Sequence, residues 1–177
     1  GRPICRALWS KGADGGYTTS WDPSWPMTAI SCEDMDAYCK WRTAESAGDF
    51  YFRLPTEDEW ERAARGVDGR SYPWGDEIQP GYCRWQPELK ETDYAAGSYP
   101  IDESPFGVRD TAGGLLEFCT GPSRLGIPFR RPWRGGYQRA ADAGELRSAF
   151  RGEGSPFRPG PNDGFRIAAW RLVERAP

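Results

Sequence analysis

Five cysteines, scattered carboxylates and no histidine bound the chemistry open to this chain. Imidazole is the commonest base near neutral pH and the commonest ligand for zinc, copper and non-haem iron. Its absence excludes Ser-His-Asp triads, Cys-His dyads and histidine metal sites. Thiolates are the soft ligands left, but Cys5, Cys32, Cys39, Cys83 and Cys119 include no C-x-x-C pair of the zinc type. Their odd number argues against a disulfide framework, as does a separation of about 10 Å along the axis between Cys32 and Cys39 if they share a helix. Buried free thiols are expected.

The densest run of carboxylates is Glu57, Asp58, Glu59 and Glu61. It invites an acid/base reading, yet its position at the start of a helix assigns it to capping, dipole compensation and surface ion pairs. Thr56 with Glu59 forms a capping box for a helix through Arg65, and Gly66 stands where a terminating glycine belongs. Before it, Ser31 with Asp34 opens another helix. Met35, Tyr38, Cys39 and Trp41/Arg42 recur at helical spacing as its core face until Gly48 stops it. Gly12 to Trp25 reads as an ordered aromatic loop, and Tyr51 to Pro55 as a short strand. After Gly66 there is no long periodic segment; Gly, Pro and aromatics recur throughout, so short strands and long structured loops follow. Two helices at the front and irregular structure behind give an α+β class.

The chain has 177 residues and is 38% hydrophobic, enough for one core, with no linker or repeat. One domain over 1–177 is expected. No stretch reaches the roughly 20 apolar residues of a membrane span, and Gly1 to Arg6 lacks the apolar core of a signal peptide. Net charge is −3 and the pI is near 5.2, which argues against general nucleic-acid affinity. The distribution is uneven: from Arg130 onward ten arginines face five acids. Only three of the 23 basic residues are lysine, a preference suited to planar, bidentate pairing.

Several segments carry more than composition. Ala37-Tyr38-Cys39-Lys40-Trp41, Phe52 through Gly66, Tyr72-Pro73-Trp74-Gly75-Asp76 and Ser104-Pro105-Phe106-Gly107-Val108-Arg109-Asp110 occur in order. Arg134-Gly135-Gly136, Leu146 through Arg151 and Gly164-Phe165-Arg166 follow them. Together they resemble the formylglycine-generating enzyme (sulfatase-modifying factor) family from about Pro26 to Ala169. The resemblance implies a variant of the C-type-lectin fold whose C-terminal segment lines a solvent-facing surface. The family's opening strands and first helix have no clear counterpart before Gly12, so the front is expected to be missing or diverged.

Catalytic members of that family bind copper through two cysteines between Arg-Gly-Gly and Gly-Phe-Arg, where thiolates hold Cu(I). This chain has none between Arg134 and Gly164; Gln138, Arg139, Ala140 and Glu145 stand there instead. The related iron-dependent sulfoxide synthases need histidines. No catalytic residue, metal ligand or cofactor is therefore assigned. Calcium is weighed separately: the family's Gly-Asn-x-Trp-Glu-Trp segment reads Gly113-Gly114-Leu115-Leu116-Glu117-Phe118, and an upstream Asn is matched by Arg84. Losing an oxygen donor and adding a cation both weaken calcium binding.

A fold without its metal ligands points to a binding module. The frame Arg134-Gly135-Gly136, Arg147-Ser148-Ala149, Arg151 and Gly164-Phe165-Arg166 resembles the variable proteins of diversity-generating retroelements. Its mutable patches would be residues 137–145 and 150–159. Tyr137, Phe150 and Phe157 would supply rigid aromatic area, Gln138 and Arg139 hydrogen bonds, and Asp142, Glu145 and Glu153 charge, toward a protein or other macromolecular ligand. The frame arginines Arg147, Arg151 and Arg166 are expected to be internal. Two alternatives stay open: an accessory or sensor domain with a fixed protein partner, as appended to bacterial kinases, and a divergent sulfatase-modifying oxidase or other enzyme using Asp142, Glu145 or Glu153 as a perturbed carboxylate.

Overall fold

The computed structural model describes residues 9–19, 21–85, 95–158 and 160–172; Cys5 and Pro159 lie outside them. Strands β1 (Trp9–Lys11) and β2 (Tyr17–Thr19) pair antiparallel, so the expected aromatic loop is in part a hairpin. Its remainder is ordered by Trp21 and Trp25, packed edge to face with centroids 5.7 Å apart.

Helix α1 (Cys32–Glu45) starts as its sequence dictates, with Ser31 and Asp34 exchanging both bonds of the capping box. Its buried face is narrower than the periodicity suggested. Cys32, Met35 and Cys39 enter the core, whereas Tyr38 and Trp41 are exposed. The correction is geometric: this helix packs on strand β3 (Phe50–Arg53) and the core through Cys32, Met35 and Cys39, with Arg42 and Thr43 meeting Phe52 at its edge, which leaves Tyr38 and Trp41 outside. Helix α2 (Glu57–Arg65) carries the second capping box, between Thr56 and Glu59, and its Trp60 and Ala64 are buried.

Strand β3 pairs antiparallel with β8 (Ala168–Arg171), setting Tyr51 opposite Trp170. A four-stranded sheet holds β4 (Leu116–Phe118), β5 (Arg131–Arg134), β6 (Gly152–Gly154) and β7 (Asp163–Gly164) in the order β6-β5-β4-β7. All its pairs are antiparallel except β4 with β7. Phe118 of β4 joins Cys32, Met35, Cys39 and Leu54 in one core cluster. A second cluster, Tyr72, Cys83, Ala112, Ala140 and Leu146, lies under the C-terminal loops. The architecture is thus α+β, and no described helix is long and apolar enough to cross a membrane.

Glycine is required where loops approach the sheet. At Gly136, φ is +67° and a Cβ would stand 2.4 Å from the Glu145 carbonyl oxygen. At Gly152 a Cβ would sit 2.2 Å from the Trp133 ring, so the β5–β6 contact closes only over a bare backbone. Cys32, Cys39, Cys83 and Cys119 are buried free thiols, as expected. Burial pushes the Cys83 and Cys119 thiols up to about 12, away from nucleophilic chemistry.

Candidate functional site

Two inward arginines organise the C-terminal half. Arg134, the last residue of β5, is fully buried. Its guanidinium lies 2.9 Å from Glu61 and 3.3 Å from Glu57, in ion pairs whose angles fall short of hydrogen bonds. Its Nη1 donates to the main-chain oxygens of Ser148 and Phe150. Glu57 also accepts from Arg124 at 2.8 Å. Glu57 is therefore a buried group and not a surface one, while Glu61 is half-buried and shared between Arg134 and an i,i+4 ion pair with Arg65. Helix α2 points them at the sheet, while Glu59 alone serves the cap and an ion pair with Arg53.

Arg166 follows β7 and reaches back to Glu117 on β4. Its Nε and Nη2 donate to the carboxylate at 2.5 and 2.7 Å, and its other contacts go to the carbonyls of Arg109 and Asp110. The same Glu117 accepts from Trp60 Nε1 at 2.5 Å. Arg166 is internal as expected, but Arg147 and Arg151 are exposed. The inward frame is Arg134, facing Glu57 and Glu61 of helix α2, and Arg166, facing Glu117 of β4.

Beside Arg166 opens a cleft of about 270 Å³, whose walls include Arg84, Tyr99, Asp102, Gln138, Phe165 and Arg166. Mostly apolar walls with a few convergent polar groups are the usual form of a ligand site. Gln138 accepts from Arg84 Nε at 2.8 Å, and its own N–H donates to Gly114, so the first patch begins on the cleft wall. Asp102 is fully buried and accepts the N–H groups of Thr111 and Ala112 at 3.2 and 3.0 Å. Burial pushes its carboxyl up to about 7, with Asp110 adding to the rise; the two N–H bonds and Arg166 pull the other way.

That carboxyl gives a prediction with a definite sign. Asp102 keeps its proton to about pH 7 when folded but loses it near 3.8 in the unfolded chain. Between those values the folded state binds more protons, so stability falls as pH rises through this window. Asp102→Asn is expected to remove that limb in urea titrations, leaving a second of opposite slope. Hydrogen bonds from Arg53 hold Glu59 down to about 2 from its usual 4.5, so its contribution is lost only as pH falls from 4.5 toward 2. An unchanged limb above pH 4.5 in Asp102→Asn would assign the effect elsewhere.

The eight residues singled out from sequence fall in two places. Tyr137 packs on the Tyr72–Leu146 cluster, Gln138 lines the cleft, and Arg139 is exposed beside them. Asp142 accepts from Gly144 N and Glu145 from Ala141 N, so both carboxylates shape the short 3-10 turn Ala143–Leu146. Around β6, Phe150 packs against Trp133, Glu153 accepts from Ser123 Oγ and Arg124 N, and Phe157 meets Phe129 at 6.0 Å. Sequence reasoning missed Asp102, Tyr99 and Phe165 as cleft residues. Asp102 sits two residues before the Ser104-Pro105-Phe106-Gly107 turn, the one local signal that an ordered loop fixes it.

The profile of the Sulfatase-modifying factor enzyme 1-like domain matches residues 4–171. The chain belongs to that family. It is 31% identical to the inactive C-alpha-formylglycine-generating enzyme 2 of Bos taurus, covering 94% of this chain and 58% of that one. It is 33% identical to the formylglycine-generating enzyme of Streptomyces coelicolor, covering 82% and 53%. The chain thus spans little more than half the length of these curated relatives. Among solved structures, PvdO from Pseudomonas aeruginosa superposes with a TM-score of 0.70 at 22% identity, covering 86% of this chain and 64% of that one. Treponema denticola variable protein 1 does so at 0.67 and 17%, covering 92% and 77%. Both share the formylglycine-generating, C-type-lectin-like fold.

The residues of this sulfatase-modifying-factor-like domain do not fit the family's metals. Where copper needs paired thiolates, the segment from Arg134 to Gly164 offers the buried Ala140 and a Glu145 already used in its own turn. Among the described residues no group of three or more Cys, Asp or Glu side chains could hold a metal ion. Glu117, the carboxylate carried over for calcium, is occupied by Arg166 and Trp60, and a cation in its place would face that guanidinium.

Proposed function

We propose that this domain is a non-catalytic ligand-binding member of its family. Its ligand would be a protein or other macromolecule met by the segment 137–158 and the mouth of the adjoining cleft. The observation that carries this reading is how the segment is held. Trp85 Nε1 donates to the Ala140 carbonyl, Tyr72 Oη to Ala143, and Arg134 to Ser148 and Phe150, while Ser148 N–H donates to Ser71. Every one of these anchors grips main chain. The side chain of Arg139 is left exposed to recognise a partner, and Gln138, held by Arg84 Nε, presents its amide on the cleft wall. The inactive Bos taurus relative and the fold shared with a variable protein support the same reading.

The test is deep sequencing of the coding region for Arg134 to Ala169 across sibling isolates, with a search for a near-copy repeat beside a reverse transcriptase. Substitutions confined to codons 137–145 and 150–159 are expected; an invariant segment without a repeat would overturn diversification. It would leave a domain with one fixed protein partner. The enzymatic alternative has its own outcome. Copper uptake with oxygen consumption on a cysteine-containing sulfatase peptide is expected to be absent, and turnover would restore an oxidase.

A further inference from the structure

The loop joining β4 to β5 takes no part in lining the cleft. Leu125 is 73% exposed and Phe129 76%, the two most exposed large apolar side chains among the described residues; Ile127 at 45% and Phe157 at 65% accompany them. Phe129 and Phe157 pack on each other, joining the loop to the C-terminal segment. This is not a slack loop. Glu153 accepts from Ser123 Oγ and Arg124 N at 2.7 and 2.6 Å, and Ser123 Oγ accepts from Ile127 N at 3.1 Å. Phe129 has φ +58°, a left-handed conformation unfavourable for a bulky residue. Apolar groups are held outward at a conformational cost.

Charge and shape say what covers them. Residues 121–131 contain three arginines and no carboxylate. Arg124 is paired with Glu57 and Asp58, and Arg131 with Asp36, while Arg130, whose Nη1 also reaches the Glu153 carbonyl at 3.4 Å, and Arg158 are exposed at the rim. A side chain three-quarters exposed projects; it does not line a groove. A rigid protein partner would need a recess matching each projecting group, whereas a lipid interface accepts them without one and supplies anionic headgroups for the arginines. We propose that Leu125, Ile127, Phe129 and Phe157 dip into an anionic lipid surface, with Arg130 and Arg158 on its headgroups. Phe157 then belongs to this loop and not to the ligand surface of the cleft, so the proposal stands apart from the preceding one.

The test is co-sedimentation of the 177-residue chain with vesicles of phosphatidylcholine alone and of phosphatidylcholine with phosphatidylglycerol. Binding to the anionic vesicles, weakened by salt and at least about tenfold lower on neutral ones, is expected. The double substitution Phe129→Ser/Phe157→Ser should lower it by about tenfold or more at an unchanged thermal midpoint, since both rings are exposed. Arg130→Gln/Arg158→Gln should bring anionic and neutral vesicles closer together. Absence of binding, or binding indifferent to the phenylalanine pair, would overturn the proposal. So would self-association abolished by that pair, which would assign the loop to a second copy of the chain.

Discussion

Arg134→Ala is expected to be the most damaging single substitution in this domain, lowering unfolding free energy by about 3–5 kcal/mol. The argument rests on what stays behind. Glu57 and Glu61 were brought into the protein to face this guanidinium, and the Ser148 and Phe150 carbonyls receive its Nη1. Removing one partner of a buried pair leaves the other charge desolvated and uncompensated, which costs more than the pair contributes. Arg124 still reaches Glu57 and Arg65 still reaches Glu61, so the loss is expected toward the lower end of that range. In a chain of this size the loss corresponds to a fall in melting temperature on the order of 10 °C. Adding Glu57→Gln and Glu61→Gln to Arg134→Met should recover part of it, because a neutral set has no orphaned charge. A shift of under about 1 kcal/mol in urea denaturation of Arg134→Ala would show that water compensates the two carboxylates.

Glu117→Ala comes next, at about 3 kcal/mol. One carboxylate joins three elements: β4 carries it, α2 supplies Trp60 Nε1, and the chain after β7 supplies Arg166. Its loss strands a buried indole N–H and a guanidinium that is only 23% exposed. Arg166 keeps its carbonyl contacts to Arg109 and Asp110, which holds the effect below that of Arg134. The double-mutant cycle with Arg166→Met is the decisive measurement. Coupled partners should make the double variant markedly less unstable than the summed singles. Strict additivity would mean that Glu117 acts through Trp60 alone.

Both networks were invisible along the chain, for one reason: each joins residues distant in sequence. The capping boxes at Ser31 and Thr56 were legible because every atom involved lies within three residues. The inward turn of Glu57 and Glu61 was not, since a carboxylate in a first helical turn looks the same whether it faces water or Arg134. Tyr38 and Trp41 follow the helical period of Met35 yet stay exposed, because period fixes a face and only packing fixes how wide that face is. The family frame identified the fold and located Arg134 and Arg166, but not that Arg147 and Arg151 would lie outside. Of the eight ligand residues singled out from sequence, Gln138 is the one that lines the cleft. Asp102, Tyr99 and Phe165 meet there through loop tertiary structure that leaves no periodic trace. The Leu125–Phe129 loop was passed over because its apolar residues alternate with glycine and proline, as turn residues would.

Strand β3 completes its ladder with β8, and β4 takes β7 as its parallel neighbour, so these two of the three sheets close only on residues 163–171. During synthesis the two helices emerge early, but neither sheet can finish until Asp163 to Arg171 have left the ribosome. Loops of this length close late, and folding governed by such distant pairing is slow, on the order of milliseconds to seconds. A translation product stopping short of Gly164 would therefore leave helix α1 resting on an unpaired β3 and β4 without its edge partner. Any change written into codons 137–158 is consequently translated before the frame around it closes, and is screened by whether these last strands can still dock.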